Sequence, residues 1–319
     1  NLAIFLTEND VKEILTMEMA LDTVEESFRL MAEGTATNSP RSRIRLPNGV
    51  LNFMAGTAPG IGVMGFKSYG VTRGHSVKFY VQLSSTETGE LLAVIEASDL
   101  GQIRTGAASG VATKYMAKEE ASSVGVIGSG YQARTQLEAV CNVRPITSAR
   151  VYSRKPENRE KFAADMSASL GIDVTASESG EACVKDVDVV ITMTSTSRPV
   201  LEGDWLSPGT HINAAGANHW IRRELDGKAV GRADVVVTDD IEQAKLECGD
   251  LIYPNEFGTI RWEQVIGLSD VVAGIAKGRN SAEDITLFES QGLALEDLTT
   301  GMRIYNIAKE RGLGQQLPF

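Results

Sequence analysis

An apolar run, Val124-Gly125-Val126-Ile127, leads directly into Gly128-Ser129-Gly130-Tyr131-Gln132-Ala133. A strand that meets G-x-G-x-x-A and continues as a helix is the opening of a βαβ unit in a parallel sheet. Each small residue has a physical reason. Gly128 permits the tight turn, Gly130 lets backbone N–H groups approach a pyrophosphate, and Ala133 is small enough for the helix to lie close on the sheet. The pattern alone is weak. Its context strengthens it, because the next apolar strand ends at Ser153, close to the spacing of roughly 20 residues that such units use.

The chain beyond residue 118 keeps this rhythm. Short apolar stretches at 150–153, 187–193, 211–214, 235–238 and 285–288 alternate with helical segments, which predicts a doubly wound parallel sheet. Upstream the texture differs. Residues 43–46, 50–54, 63–69, 77–83 and 91–96 are short strands bounded by Pro47-Asn48-Gly49, Pro59-Gly60 and Thr88-Gly89, a pattern that predicts an antiparallel sheet. Ahead of them Thr7 caps a helical stretch with Val11, Ile14, Leu15, Leu21, Val24, Phe28 and Met31 at helical spacing, ending at Gly34. Asp99 caps a helix over 100–117, and 293–311 form a last amphipathic helix that returns to the first domain. The fold class is α/β: a Rossmann doubly wound parallel sheet over 118–291, plus a sheet-rich α+β domain built from 1–117 with 292–319.

The 319 residues carry a formal net charge of −11, which argues against nucleic acid or an anionic membrane as a partner. Clusters of Arg and Lys therefore stand out against an acidic background. No apolar run approaches the roughly 20 residues needed to span a bilayer, and residues 1–7 lack the basic and apolar regions of a secretion signal. The expected location is cytoplasmic. Three cysteines and three histidines, scattered and without metal-ligand spacing, predict reduced thiols and no metal site.

The end of the second Rossmann strand bears on the choice of cofactor. NAD-binding proteins usually place an acid there for the ribose hydroxyl. This chain has Tyr152-Ser153-Arg154-Lys155, a hydroxyl and two cations that suit a 2′-phosphate. NADP(H) is expected over NAD(H). Thr194, Ser195 and Thr196 follow another apolar strand and lie where hydroxyl and backbone groups meet a cofactor.

Several segments in this order resemble the ornithine cyclodeaminase/mu-crystallin family over nearly the whole chain. They are Ser39-Pro40-Arg41, Gly65-Phe66-Lys67, Ile103-Arg104-Thr105-Gly106-Ala107-Ala108, the fingerprint through Tyr131-Gln132-Ala133, and Asn213-Ala214-Ala215-Gly216 followed by Arg223-Glu224-Leu225-Asp226. The resemblance implies that the sheet-rich domain binds substrate and forms a homodimer. It implies that Arg41, Lys67 and Arg104 surround a substrate carboxylate, with Arg43 and Arg45 close enough to take Arg41's place. It also implies that Asp226 meets the substrate amine, and that Lys67 and Asp226 are the catalytic pair. The fingerprint residues Gly128, Gly130, Gln132 and Ala133 would hold the cofactor.

One departure narrows the substrate. Where ornithine cyclodeaminases read Glu-Leu-Met-Pro, this chain has Asn52-Phe53-Met54-Ala55, which removes the acid suited to a second amine. The nearby Arg73-Gly74-His75 would suit a second carboxylate or an uncharged side chain if it faced the pocket. The expected function is an NAD(P)H-dependent imine (ketimine) reductase or amino-acid dehydrogenase, with hydride transfer at the α-carbon of a small amino or imino acid. The alternatives are an ornithine cyclodeaminase-type ammonia lyase that recycles NAD, and a non-catalytic NADPH-binding protein like mu-crystallin.

Overall fold

The computed structural model of the protein describes residues 2–318; Asn1 and Phe319, assigned above to the sheet-rich domain, lie outside the described residues. In chain order, β1 (Ile4–Leu6) is followed by α1 (Glu8–Ile14) and α2 (Met17–Ala32). Five strands come next: β2 (Thr37–Leu46), β3 (Gly49–Ala58), β4 (Val63–Thr72), β5 (Lys78–Ser85) and β6 (Leu91–Glu96). Helix α3 (Ser98–Met116) leads to β7 (Ser123–Ile127), α4 (Tyr131–Val143), β8 (Ser148–Tyr152), α5 (Pro156–Leu170), β9 (Asp173–Ala176), α6 (Gly180–Val184) and β10 (Val189–Thr192). Then come β11 (His211–Ala214), α7 (Gly227–Gly231), β12 (Val235–Thr238), α8 (Ile241–Glu247), α9 (Gly249–Glu256), β13 (Val265–Gly267), α10 (Leu268–Val272) and β14 (Thr286–Glu289). The last elements are α11 (Ala294–Arg311) and β15 (Gln315–Gln316). The chain divides into two compact units, Asn1–Arg104 with Leu293–Phe319, and Thr105–Gly292.

The first unit is built on a seven-stranded sheet in the order β15-β1-β6-β5-β4-β3-β2. Its strands alternate, as a half-buried sheet requires. Met54, Lys67, Val81, Leu83, Ala93 and Ile95 are buried on one face, where α11 crosses β3, β4 and β5. Helix α2, which buries Val24 and Phe28, packs on α11, and a buried Thr23–Thr300 hydroxyl pair at 2.8 Å joins them. On the other face Ile44, Leu51, Phe53 and Tyr80 remain 39–59% exposed. Two details depart from the sequence expectation. The sheet is mixed, because β1 runs parallel to β6. The first helical stretch is broken in two: Leu15 turns extended (ψ 124°), and Thr16 accepts from Met19 N at 3.2 Å to cap a new helix.

The second unit contains an all-parallel eight-stranded sheet in the order β13-β12-β14-β11-β10-β7-β8-β9. Its strands are buried on both faces, so they read as continuous apolar runs rather than alternating ones. Along β10, Val189 and Ile191 join the cluster of Val124, Val126, Leu137 and Phe162, while Val190 joins Ile127, Ile212, Leu225 and Leu287. The chain moves outward from β7 through β8 to β9, then returns to add β10 on the other side of β7. The carboxyl ends of β7 and β10 therefore form a topological switch point, where open α/β sheets take their ligands.

The candidate active site

In the second unit a groove of about 900 Å³ opens at that switch point. Its walls are Ile127–Gly130 after β7, Tyr152–Lys155 after β8, Asn158, the segment 193–198 after β10, and Val200. The turn depends on Gly128, whose φ of +117° and whose hypothetical Cβ, 2.2 Å from Met193 O, exclude any larger residue. Gly130 faces open space and precedes α4 without a side-chain cap. The cap residue of α4 thus contributes no side-chain acceptor to the helix start, which suits an anion site at a helix N-terminus. The groove fits a dinucleotide: a cradle that only glycine permits, an uncapped helix start, and three loops converging on it.

Ser153, Arg154, Lys155, Thr194, Ser195 and Thr196 all line this groove, together with Gly128 and Gly130. Ser129 donates to the Ser153 hydroxyl at 2.9 Å, tying the first loop to the second. Among the lining residues, Arg154, Lys155 and Arg198 are basic and none is acidic. Gln132 and Ala133 do not line it; Ala133 is buried in the core beneath α4. Ser129, Asn158 and Arg198 also line the groove, beyond the residues expected from sequence. Glu224 has a role that no sequence pattern marks. That buried carboxylate accepts from Thr194 N (2.6 Å), Thr194 Oγ1 (2.6 Å), Thr192 Oγ1 (2.9 Å) and Gly216 N (2.8 Å), so it fixes the segments that follow β10 and β11. Burial raises its pKa, against these hydrogen bonds.

Asp226 lies elsewhere in this unit, as the N-cap of α7. Its Oδ1 accepts from Ala229 N at 2.7 Å and Gly203 N at 3.0 Å.

In the first unit the structure brings Arg41, Lys67 and Arg104 together on buried ground, with exposures of 8, 3 and 5%. Lys67 Nζ donates to Asp297 Oδ1 at 2.8 Å. Arg104 donates from Nε to the same oxygen at 3.1 Å and from Nη1 to Glu296 Oε2 at 2.8 Å. Arg41 Nε points to Met54 Sδ at 3.4 Å, and Met54 is the cross-strand partner of Lys67. Gly101 on α3 leaves space for the lysine, since a Cβ there would stand 2.8 Å from Nζ.

Removing charges from water is expensive, so such a group persists only when paired and hydrogen-bonded. Its two carboxylates were missed by sequence reasoning: Glu296 and Asp297 open α11, where acids ordinarily serve the helix dipole. The buried Asp297 Oδ2 has no hydrogen-bond partner. Burial pushes the Lys67 ammonium down to about 8; Asp297 opposes the shift, while Arg104 and Arg41 add to it. Burial also works against the Arg104 charge, but Asp297 and Glu296 outweigh it and hold the guanidinium protonated. A lysine poised near neutral pH beside fixed guanidinium groups is suited to anchoring a carboxylate and passing a proton.

Among the described residues no helix is long and apolar enough to cross a membrane, and no group of three or more His, Cys, Asp or Glu is arranged to hold a metal.

Comparison with known proteins is consistent with both halves of this picture. Residues 2–312 match the model of the Ornithine cyclodeaminase/mu-crystallin family. The Δ1-pyrroline-2-carboxylate reductase of Thermococcus litoralis, solved with NADH and L-proline, is 36% identical, with a TM-score of 0.94 over 98% of this chain and 100% of that one. An archaeal alanine dehydrogenase, solved as a dimer with bound NAD, is 34% identical with a TM-score of 0.94 over 99% of each chain. The iminosuccinate reductase of Paracoccus denitrificans, solved with NAD+, is 30% identical with a TM-score of 0.94 over the full length of both.

Proposed function

We propose that this chain, which belongs to the ornithine cyclodeaminase/mu-crystallin family, is an NADP(H)-dependent imine reductase or amino-acid dehydrogenase acting on a small amino or imino acid. The observation that carries the reading is the buried Lys67, paired with Asp297 and flanked by Arg41 and Arg104. When bound, the nicotinamide supplies or accepts the hydride at the substrate's α-carbon. Gly128, Gly130, Ser129 and the start of α4 would hold its pyrophosphate, and Thr194, Ser195 and Thr196 would line its site.

Arg104 and Arg41 take the substrate carboxylate, with Arg104 Nη2 remaining as a donor once Nε and Nη1 have met Asp297 and Glu296. Lys67 in its ammonium form gives a proton to the imine nitrogen as the C=N bond is reduced, and takes one back in the oxidative direction. Asp297 holds Nζ in place and stabilises the charged form. The capping bonds of Asp226 support a structural place for it in α7, and Lys67 with Asp297 is the pair assigned to the substrate nitrogen.

The preference for NADP(H) rests on Ser153, Arg154, Lys155 and Arg198 around a groove whose lining has no acid. We also infer a homodimer through the open sheet face that carries Ile44, Leu51, Phe53 and Tyr80, large apolar side chains left 39–59% exposed on neighbouring strands, as at protein–protein contact surfaces.

Initial rates of NADPH and NADH oxidation on α-keto acids with ammonia or methylamine, and on preformed cyclic imines, test the reading. Turnover with an imino acid and a kcat/KM at least tenfold higher with NADPH are expected, with Asp226→Asn retaining turnover. Equal use of NADH would overturn the cofactor assignment. Ammonia release from a diamino acid without net change in cofactor would mark a cyclodeaminase, and tight cofactor binding with no turnover would mark a binding protein.

A further inference from the structure

Helix α5 buries one face, and Arg159, Phe162, Ala163 and Met166 form its stripe at i, i+3, i+4 and i+7. Phe162, Ala163 and Met166 belong to the apolar cluster of Val124, Val126 and Leu137. Arg159 takes the first place in that stripe, 7% exposed, where an apolar side chain would complete the packing. The basic residues that line the groove, Arg154, Lys155 and Arg198, are exposed, as are Arg73 and His75 in the turn after β4. Taking a guanidinium out of water is costly, and an apolar residue in its place is often neutral or stabilising. Packing therefore gives no reason for an arginine at this position.

Its contacts give one. Arg159 Nη1 donates to Ser153 O at 3.0 Å, Nη2 donates to Glu178 Oε2 at 3.2 Å, and the guanidinium carbon lies 5.6 Å from the centre of the Tyr152 ring. Glu178 is 93% exposed, so water screens that ion pair and it contributes little. The contact with Ser153 is the consequential one, because Ser153 is followed directly by Arg154 and Lys155. The Ser153 hydroxyl accepts from Ser129 at 2.9 Å, and Lys155 O accepts from the N–H groups of Asn158 and Arg159 at 3.1 and 3.3 Å. Arg159 adds a third hold, on the carbonyl between them. A backbone pinned at three points fixes the directions in which the two exposed cations leave it, which lowers the ordering cost that binding must meet. Arg159 itself does not line the groove.

We propose that Arg159 is a positioning residue for cofactor choice: by holding the Ser153 carbonyl it keeps Arg154 and Lys155 aimed at a 2′-phosphate, without touching the cofactor. The inference rests on the NADP(H) reading and deepens it. NADH carries a hydroxyl in place of that phosphate and makes little use of the two cations, so loss of the hold falls on NADPH.

The test is the pair of dissociation constants for NADPH and NADH by titration calorimetry, with thermal unfolding of each variant. The wild-type protein is expected to bind NADPH about tenfold more tightly than NADH or better. Arg159→Met keeps an apolar stem in the stripe, so its melting temperature should hold or rise. In that variant the preference for NADPH is expected to fall by roughly fivefold or more, with NADH affinity unchanged. Arg159→Lys should restore part of the preference. Equal wild-type affinities would overturn the NADP(H) assignment and this inference with it. A wild-type preference that persists in Arg159→Met would overturn the role of Arg159 and leave that assignment intact. Equal loss of affinity for both cofactors, with a lowered melting temperature, would mark Arg159 as structural only and overturn the inference as well.

Discussion

Lys67 concentrates the chemistry of the account in one nitrogen. Reduction of an imine requires a proton on that nitrogen, so kcat/KM for reduction is predicted to be steady below pH 8 and to fall as pH rises through about 8. Oxidation of the amino acid should rise over the same interval, because it needs the free amine form. Lys67→Arg separates charge from proton transfer, since guanidinium keeps its proton at any working pH. Turnover in that variant should drop by roughly 10²–10⁴-fold. Wild-type rates in Lys67→Arg, or a reductive profile without a fall near pH 8, would remove Lys67 from the proton path. The motifs shared with the family point to Arg41, Lys67 and Arg104 together. No motif marks Asp297, which meets Lys67 across 230 positions of chain. An acid at the start of a helix looks the same in sequence whether it serves the dipole or a buried lysine.

Glu224 shows how one side chain sets an element. Its four hydrogen bonds hold Thr192, Thr194 and Gly216, so the loop after β10 enters the dinucleotide groove already shaped. Glu224→Gln exchanges one oxygen for an amide that cannot accept from those donors. The predicted result is a rise in the dissociation constant for NADPH of about tenfold, equivalent to about 1.4 kcal/mol. Titration calorimetry checks it, and unchanged affinity would place the loop's shape elsewhere. Most strands of the parallel sheet were legible because their apolar runs are long. β9 was not, since Asp-Val-Thr-Ala has one strongly apolar residue, and neither was the three-residue β13. The split between α1 and α2 escaped for another reason: apolar spacing carries on through Leu15, and only the local cap at Thr16 ends the helix.

At the scale of the whole molecule, the second unit holds a store of buried acid. Asp239, Glu224, Asp250 and Glu289 all have raised pKa values, burial being the first cause in each case. Asp239 is pushed up to about 6. A carboxyl whose folded pKa is raised contributes stability that is complete below the unfolded pKa near 4 and is lost as pH rises through the folded value. These carboxyls lower stability as pH rises from about 4 to 8, Asp239 by roughly 3 kcal/mol and mostly by pH 6. Buried His211, its pKa pushed down to about 3, raises stability up to about pH 6.5, so the net decline is expected between about pH 6.5 and 8. Asp250→Asn keeps an oxygen to accept from Glu224 N and Leu225 N, and should flatten the decline. Denaturant unfolding at a series of pH values reads both. Stability that is level or rises from about pH 6.5 to 8 would contradict the picture.

Net hydride transfer to the α-carbon of an imino acid is followed with NADPH deuterated at the transferred position. The expected result is one NADPH consumed per amino acid formed, and one deuterium at the α-carbon of the product by mass spectrometry. An amino acid without that deuterium, or a cyclised product formed with ammonia release and no net loss of NADPH, would contradict it.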